Sequence, residues 1–285
     1  MSDNSRHIMS FENGDAIQNA LNNGVIAHKY VAYDESASTI DWDSKTINYA
    51  AMPLTFQILT SGAVYHSARS TRNYKTFQYR VNDGEWTSVS VTATGTTYFI
   101  SVSAGDKVQF RGDNAAYGTT TNQEGFSLHS TADFNIYGNV MSLINSTNFS
   151  GLTSFTAGGV FQNLFKPSFE PDNHLKDVSN LVLPATSLTQ RCYSYMFNGN
   201  NGLTGKAPEL PATTLANYCY ASMFGNCTNL NYIKCLATDI SATSCTSYWV
   251  GGVQTTSGTF VKNASMSSWT TGNNGIPANW TVQDA

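Results

Sequence analysis

Two hexapeptides constrain this chain more than any other feature. Leu183-Pro184-Ala185-Thr186-Ser187-Leu188 returns as Leu210-Pro211-Ala212-Thr213-Thr214-Leu215, 27 residues on, and in worn form as Leu236-Ala237-Thr238-Asp239-Ile240 after 26 more. Cys192-Tyr193 and Met196-Phe197 match Cys219-Tyr220 and Met223-Phe224, then Cys245 and Trp249-Val250, and Val160-Phe161 with Leu164-Phe165 is a degraded upstream copy. A repeat of this length is one supersecondary unit that cannot bury its own apolar face, so copies must stack. The pattern predicts short strands near 178–183, 205–210 and 231–236 forming a parallel ladder. Leu188, Cys192 and Met196, like Leu215, Cys219 and Met223, are spaced by four, which predicts one face of a short helical turn beneath that ladder. Residues 259–282 break the period and carry Trp269, Ile276, Pro277 and Trp280, as expected of a terminal cap beginning near residue 254.

The rest of the chain is built differently. Residues 1–149 hold nine basic and thirteen acidic side chains, and residues 150–285 hold six of each, so the net charge of −4 belongs to the first part. Thr76–Val81, the turn Asn82-Asp83-Gly84 and Glu85–Val89 read as a hairpin; Tyr98–Val102 and Lys107–Arg111 around Ser103–Asp106 read as a second. Further strands are expected at 125–129 and 133–137. Short strands at such spacing predict a β-sandwich over 49–148. Residues 1–48 predict a small α+β unit: Asp15 caps a short helix to Asn23, followed by strand arms at 29–34 and 39–43. That unit is too small for a core of its own. Ile17, Leu21, Tyr30 and Trp42 are its candidates for assembly or attachment. The expected fold class is therefore mainly β and multi-domain: 1–48, a β-sandwich at 49–148, and a repeat solenoid with its cap at 149–285.

Only 12% of residues are charged, half the usual share, whereas aromatics reach 12%. Disorder is excluded by the aromatics, and nucleic-acid binding by the negative charge and the absence of any basic run. No stretch approaches a membrane span, and the N-terminus shows no secretory pattern. Cys192, Cys219, Cys227, Cys235 and Cys245 form no C-x-x-C pair and have no histidine among them, so they are expected as reduced, buried thiols and not as zinc ligands.

The pattern Leu-Pro-Ala-Thr-x-Leu…Cys-Tyr…Met-Phe…Asn226-Cys227-Thr228-Asn229-Leu230 resembles the BspA-type leucine-rich repeats of surface proteins from gut anaerobes, over about residues 154–253. Gly258-Thr-Phe-Val-Lys262…Trp269…Gly275-Ile-Pro-Ala-Asn-Trp280 is similar to the cap found after such repeats. Tyr79…Asp83-Gly84…Trp86-Thr87 and Gly105–Gly112 are similar to the β-sandwich that often precedes them. Phe11-Glu-Asn-Gly-Asp-Ala-Ile17…Tyr30-Val-Ala-Tyr-Asp34…Ile40-Asp-Trp-Asp43 resembles the N-terminal segment of head-fibre and related virion proteins of phages that infect those bacteria. These resemblances imply a phage virion surface protein, a head or tail fibre, made in the host cytoplasm and displayed on the particle. Other virion proteins (capsid or tail) would be bound through residues 1–48. Analogy with fibres, which are commonly trimeric, implies a homo-oligomer. The alternative is a bacterial cell-surface adhesin lacking its signal peptide.

No catalytic constellation emerges: phosphate loop, nucleophile elbow and metal-type histidine spacing are all missing from the sequence. Glu124, Asp133, Glu170 and Asp172 are the acids that could form a glycosidase pair, but nothing in their spacing joins them. The expectation is a non-enzyme without cofactor or metal that adheres to host-surface polysaccharide or protein. Tyr193, Tyr220 and Trp249 fall at core positions of the repeat. Tyr195, Tyr218 and Tyr232 are the candidate ligand-binding set, because a tyrosine offers an apolar face and a polar tip together.

Overall fold

The computed structural model describes residues 40–41, 46–121, 125–169, 172–254, 256–267 and 269–285. The helix expected at 15–23, the strand arm at 29–34 and the assembly candidates Ile17, Leu21, Tyr30 and Trp42 lie outside the described residues. The chain divides into two compact units, Met1–Asn48 and Tyr49–Ala285. In the first, β1 (Ile40–Asp41) pairs antiparallel with β2 (Thr46–Ile47).

The second unit is mainly β, with several sheets and, among the described residues, only short 3-10 turns for helix. Its strands are β3 (Leu54–Ile58), β4 (Gly62–Ala68), β5 (Thr76–Val81), β6 (Thr87–Ser90), β7 (Gly95–Val102), β8 (Lys107–Gly112), β9 (Phe126–Ser130), β10 (Phe134–Asn139), β11 (Leu175–Val182), β12 (Gly205–Lys206), β13 (Leu230–Cys235), β14 (Thr259–Lys262) and β15 (Thr281–Asp284). One sheet runs β11-β10-β3-β8-β5-β6, a second β7-β4-β9, and a third, all parallel, β12-β13-β14-β15.

The first expected hairpin is present as β5–β6, with Asn82 and Asp83 both at positive φ in the turn. The second is not a hairpin. β7 pairs with β4, and β8 pairs with β3 and β5, so the chain changes sheets at Ser103–Asp106. The reason lies in where the turn spends its hydrogen bonds. Ser103 N–H donates to Asp106 Oδ2 (2.8 Å), closing the turn on itself, while Gly105 N–H donates to Ile58 O and Asp106 O accepts from Ile58 N–H. The end of β3 thus takes the groups that a hairpin would have used to register its own arms.

Residues 49–148 and the repeat region share one core. β10 pairs in parallel with β11 across the expected boundary, and a single hydrophobic cluster runs from Leu54 to Trp280. Tyr117 N–H also donates to Val160 O, and Leu128 N–H to Leu164 O, both at 2.7 Å. The parallel ladder is shortest at β12, where Pro208 has no N–H to give; pairing resumes only at the Leu210–Cys235 bridge. Beyond residue 254 the ladder continues through β14 and β15.

Candidate functional site

Opposite the ladder, each repeat crosses the molecule as a ribbon of overlapping turns, and this replaces the expected helical turn. In residues 189–200 the N–H groups of Cys192, Ser194, Met196, Asn198 and Asn200 each donate to the carbonyl three residues back. The N–H groups between them, from Arg191, Tyr193, Tyr195, Phe197 and Gly199, donate to Asn217, Cys219, Ala221, Met223 and Gly225 of the next repeat. Residues 216–227 repeat the scheme, with Tyr218, Tyr220, Ser222, Phe224 and Asn226 donating to the repeat after. Half the amides close turns and half tie neighbours together, so the ribbon leaves few backbone donors unsatisfied.

Every second turn needs a positive φ at its third residue, as in a type II turn. The conformation accordingly recurs every fourth residue: Gly159 and Asn163; Arg191, Tyr195 and Gly199; Tyr218, Ser222 and Asn226; Ser244, Tyr248 and Gly252. A four-residue period explains why Cys192 and Met196, or Cys219 and Met223, share a buried face without a helix. The rings between them stack across repeats. Phe161, Tyr193, Tyr220 and Trp249 lie 6.0, 6.1 and 6.3 Å apart, and Trp269 closes the row at 5.5 Å. Phe165, Phe197 and Phe224 make a second row at 5.6 Å intervals.

Asn163 and Ser222 are buried at their left-handed positions, but three of the others are tyrosines that reach the surface. Tyr195 and Tyr218 are half-buried, and Tyr248 is 55% exposed. Cations from the preceding repeat approach two of them: Lys166 lies 5.8 Å from the Tyr195 ring and Arg191 4.4 Å from that of Tyr218. Tyr232, the third residue of the expected set, is elsewhere. It follows Asn231 on β13 beside buried Ile233, and strand alternation sends it to the face of the ladder away from the ribbon, with Lys206 5.1 Å from its ring. The structure thus brings Tyr195 and Tyr218 to one face, separates Tyr232, and adds Tyr248. Tyr195 and Tyr248 occupy the same column two repeats apart, about 10 Å along the stack.

These tyrosines sit where the backbone favours other residues. A bulky side chain in the left-handed region costs about 1–2 kcal/mol, and the equivalent positions of this chain hold Gly, Asn or Ser except at Arg191. Burial does not offset that cost at Tyr248, which is mostly in water. The sequence carried a signal for this: Gly199, Asn226 and Gly252 recur four residues after Tyr195, Ser222 and Tyr248.

Of the acids considered for hydrolysis, Glu124 and Glu170 lie outside the described residues. Asp133 is engaged by His174 Nδ1 (3.0 Å) and Lys176 Nζ (3.3 Å), and these hydrogen bonds hold its carboxyl below the usual range although burial works to raise it. Asp172 accepts from His174 N–H and faces buried His129 at 3.7 Å, where Asn200 Oδ1 takes the ring Nε2 contact at 2.8 Å. The five cysteines are free and buried, and burial pushes the Cys192 and Cys235 thiols up to about 12. Among the described residues no group of three His, Cys, Asp or Glu could hold a metal ion, and no helix is long and apolar enough to cross a membrane. The chain matches no protein-family model, no curated protein and no solved structure.

Proposed function

We propose that this chain is a virion surface protein, a head or tail fibre, that adheres to the host cell surface or its glycans. In this reading residues 49–148 act as a β-sandwich and residues 149–285 as a leucine-rich-repeat solenoid. The ribbon face with Tyr195, Tyr218 and Tyr248 makes the contact. The observation that carries adhesion is the placing of three tyrosines at left-handed positions that Gly, Asn or Ser would fill at lower cost; contact with a ligand is what such a residue gains in exchange. Head or tail attachment through residues 1–48 rests on their sequence resemblance. Many weak contacts on one particle would add up to avidity.

The test separates stability from binding. Tyr248→Asn relieves the backbone and gives up the ring packing on Gly251, so it should melt about 2 °C higher, or at the same temperature, as a gain of up to ~1 kcal/mol implies. The Tyr195→Asn, Tyr218→Asn, Tyr248→Asn triple variant should bind gut-anaerobe cells roughly tenfold more weakly than the parent in flow cytometry. Equal binding by the folded triple variant would remove the ribbon face from adhesion.

Attachment is tested by mass. Light scattering should give about three times 30.9 kDa for the full chain and a monomer once residues 1–48 are deleted. Monomers in both cases would withdraw assembly through residues 1–48 and favour the cell-surface adhesin.

A further inference from the structure

The outer face of the six-stranded sheet carries a second arrangement, far in sequence from the tyrosines. Arg80 on β5 is opposite Gln109 on β8, and Gln78 is opposite Arg111, so all four side chains emerge on one face. Each arginine is held by the glutamine across from it: Arg80 Nε donates to Gln109 Oε1 at 2.5 Å, and Arg111 Nε to Gln78 Oε1 at 2.8 Å. Trp86, next to β6, reaches across to both. Its ring centre lies 4.9 Å from the Arg80 guanidinium and 4.1 Å from that of Arg111.

Two guanidiniums against one ring repel each other, and one would suffice for a cation–π contact. The local acids balance them only in part, Asp113 acting on Arg111 through space without pairing with it. Asp83 reaches Arg80 only at 3.5 Å, with its side chain 61% exposed. Asp113, the acid nearest in sequence to Arg111, is spent on Ser146, accepting from its N–H at 2.8 Å and its Oγ at 3.0 Å. Among the described residues Arg111 has no ion-pair partner. Its Nε is fixed by Gln78 and its terminal nitrogens remain available in a fork that matches a carboxylate. The neighbouring indole supplies an apolar surface of the kind that a sugar ring's C–H groups cover.

We propose that Arg80, Arg111 and Trp86 form a binding site for an acidic sugar, a uronic acid within a polysaccharide. The carboxylate sits on the Arg111 fork and the pyranose lies against Trp86. Gln78 and Gln109 are positioning residues that keep the two guanidiniums in place. This site is separate from the ribbon face and stands or falls without it.

The experiment titrates the full chain with trigalacturonic acid and with the same oligomer after its carboxyl groups are reduced to alcohols, by calorimetry at low and high salt. Saturable binding of the acid form, at least roughly tenfold stronger than the reduced form and weakened by salt, is the expected result. Arg111→Met should abolish that preference without changing the melting temperature, and Arg111→Lys, which keeps the charge but not the fork, should retain only part of it. Should Arg111→Met disturb the fold, Trp86→Leu provides the second reading and should weaken binding of the acid form. The proposal is overturned if the two oligomers bind alike, if neither binds, if folded Arg111→Met binds as the parent does, or if inorganic triphosphate competes as well as the uronate.

Discussion

Gly138→Ala is expected to lower the melting temperature of the Tyr49–Ala285 unit by about 10 °C. Gly138 lies in β10 at φ +85, between β3 and β11, and a Cβ there would fall 2.1 Å from Pro53 O and 2.9 Å from Pro53 C. Both are backbone atoms, so no rotamer change relieves the clash. Pro53 cannot swing away freely, since its ring fixes φ. The strand cannot move either. Asn139 N–H donates to Met52 O at 2.8 Å, its Nδ2 donates to Ala50 O, and its Oδ1 caps the Val140–Leu143 turn through Met141 N–H. Left-handed strain of about 1–2 kcal/mol plus the displaced backbone gives at least ~3 kcal/mol. For a unit of this size each kcal/mol is worth about 2–4 °C. Scanning calorimetry reads the result directly, and a drop under about 3 °C would mean that the β3–β10 junction relaxes where these hydrogen bonds say it is held.

That junction also marks the limit of what the sequence reveals. β5 and β6 were legible from the Asn82-Asp83-Gly84 turn between them, and β8 from the alternation of Val108 and Phe110 with Lys107 and Arg111, although Gln109 between them is buried too. β3 was not: Leu54, Thr55, Phe56 and Ile58 are all buried, so the central strand has no alternation, and Thr55 is tolerated because its hydroxyl donates to Pro53 O. β4 reads Gly-Ala-Val-Tyr-His-Ser-Ala, with little β-branched content. Its His66 is held by stacking on Phe99 and Phe126, neighbours that only tertiary structure supplies. In the repeat, periods of 3.6 and 4 cannot be told apart over nine residues, so the ribbon read as a helical turn. The distinction matters for the site. A helix would have placed Tyr195 and Tyr218 by helical angle, whereas the ribbon places them by the left-handed step, and it adds Tyr248 to the column of Tyr195.

The second large effect is expected at Phe197→Ala, about 4 kcal/mol of stability and roughly 10 °C in melting temperature. Phe197 is fully buried, with Phe165 5.6 Å away on one side and Phe224 5.6 Å away on the other, the latter pair within 5° of parallel. The backbone around it is fixed at several points. Its N–H donates to Met223 O, and its carbonyl accepts from Asn200 N–H, Asn200 Nδ2 and Cys227 Sγ. A site held this firmly cannot collapse into the vacated volume, which puts the cost toward the upper part of the range for losing a buried phenyl ring. Phe224→Ala should cost a similar amount. The double variant should cost less than the two together by about 0.5 kcal/mol or more, because each single change already removes the contact between the rings. Strict additivity would show that the row is held by burial alone. The same substitution reaches the outer face, since Tyr195 is two residues away and its N–H donates to Ala221 O within the same set of inter-repeat bonds. Phe197→Ala should therefore weaken cell binding at temperatures where the rest of the chain remains folded, while leaving the Arg80–Trp86–Arg111 site unaffected.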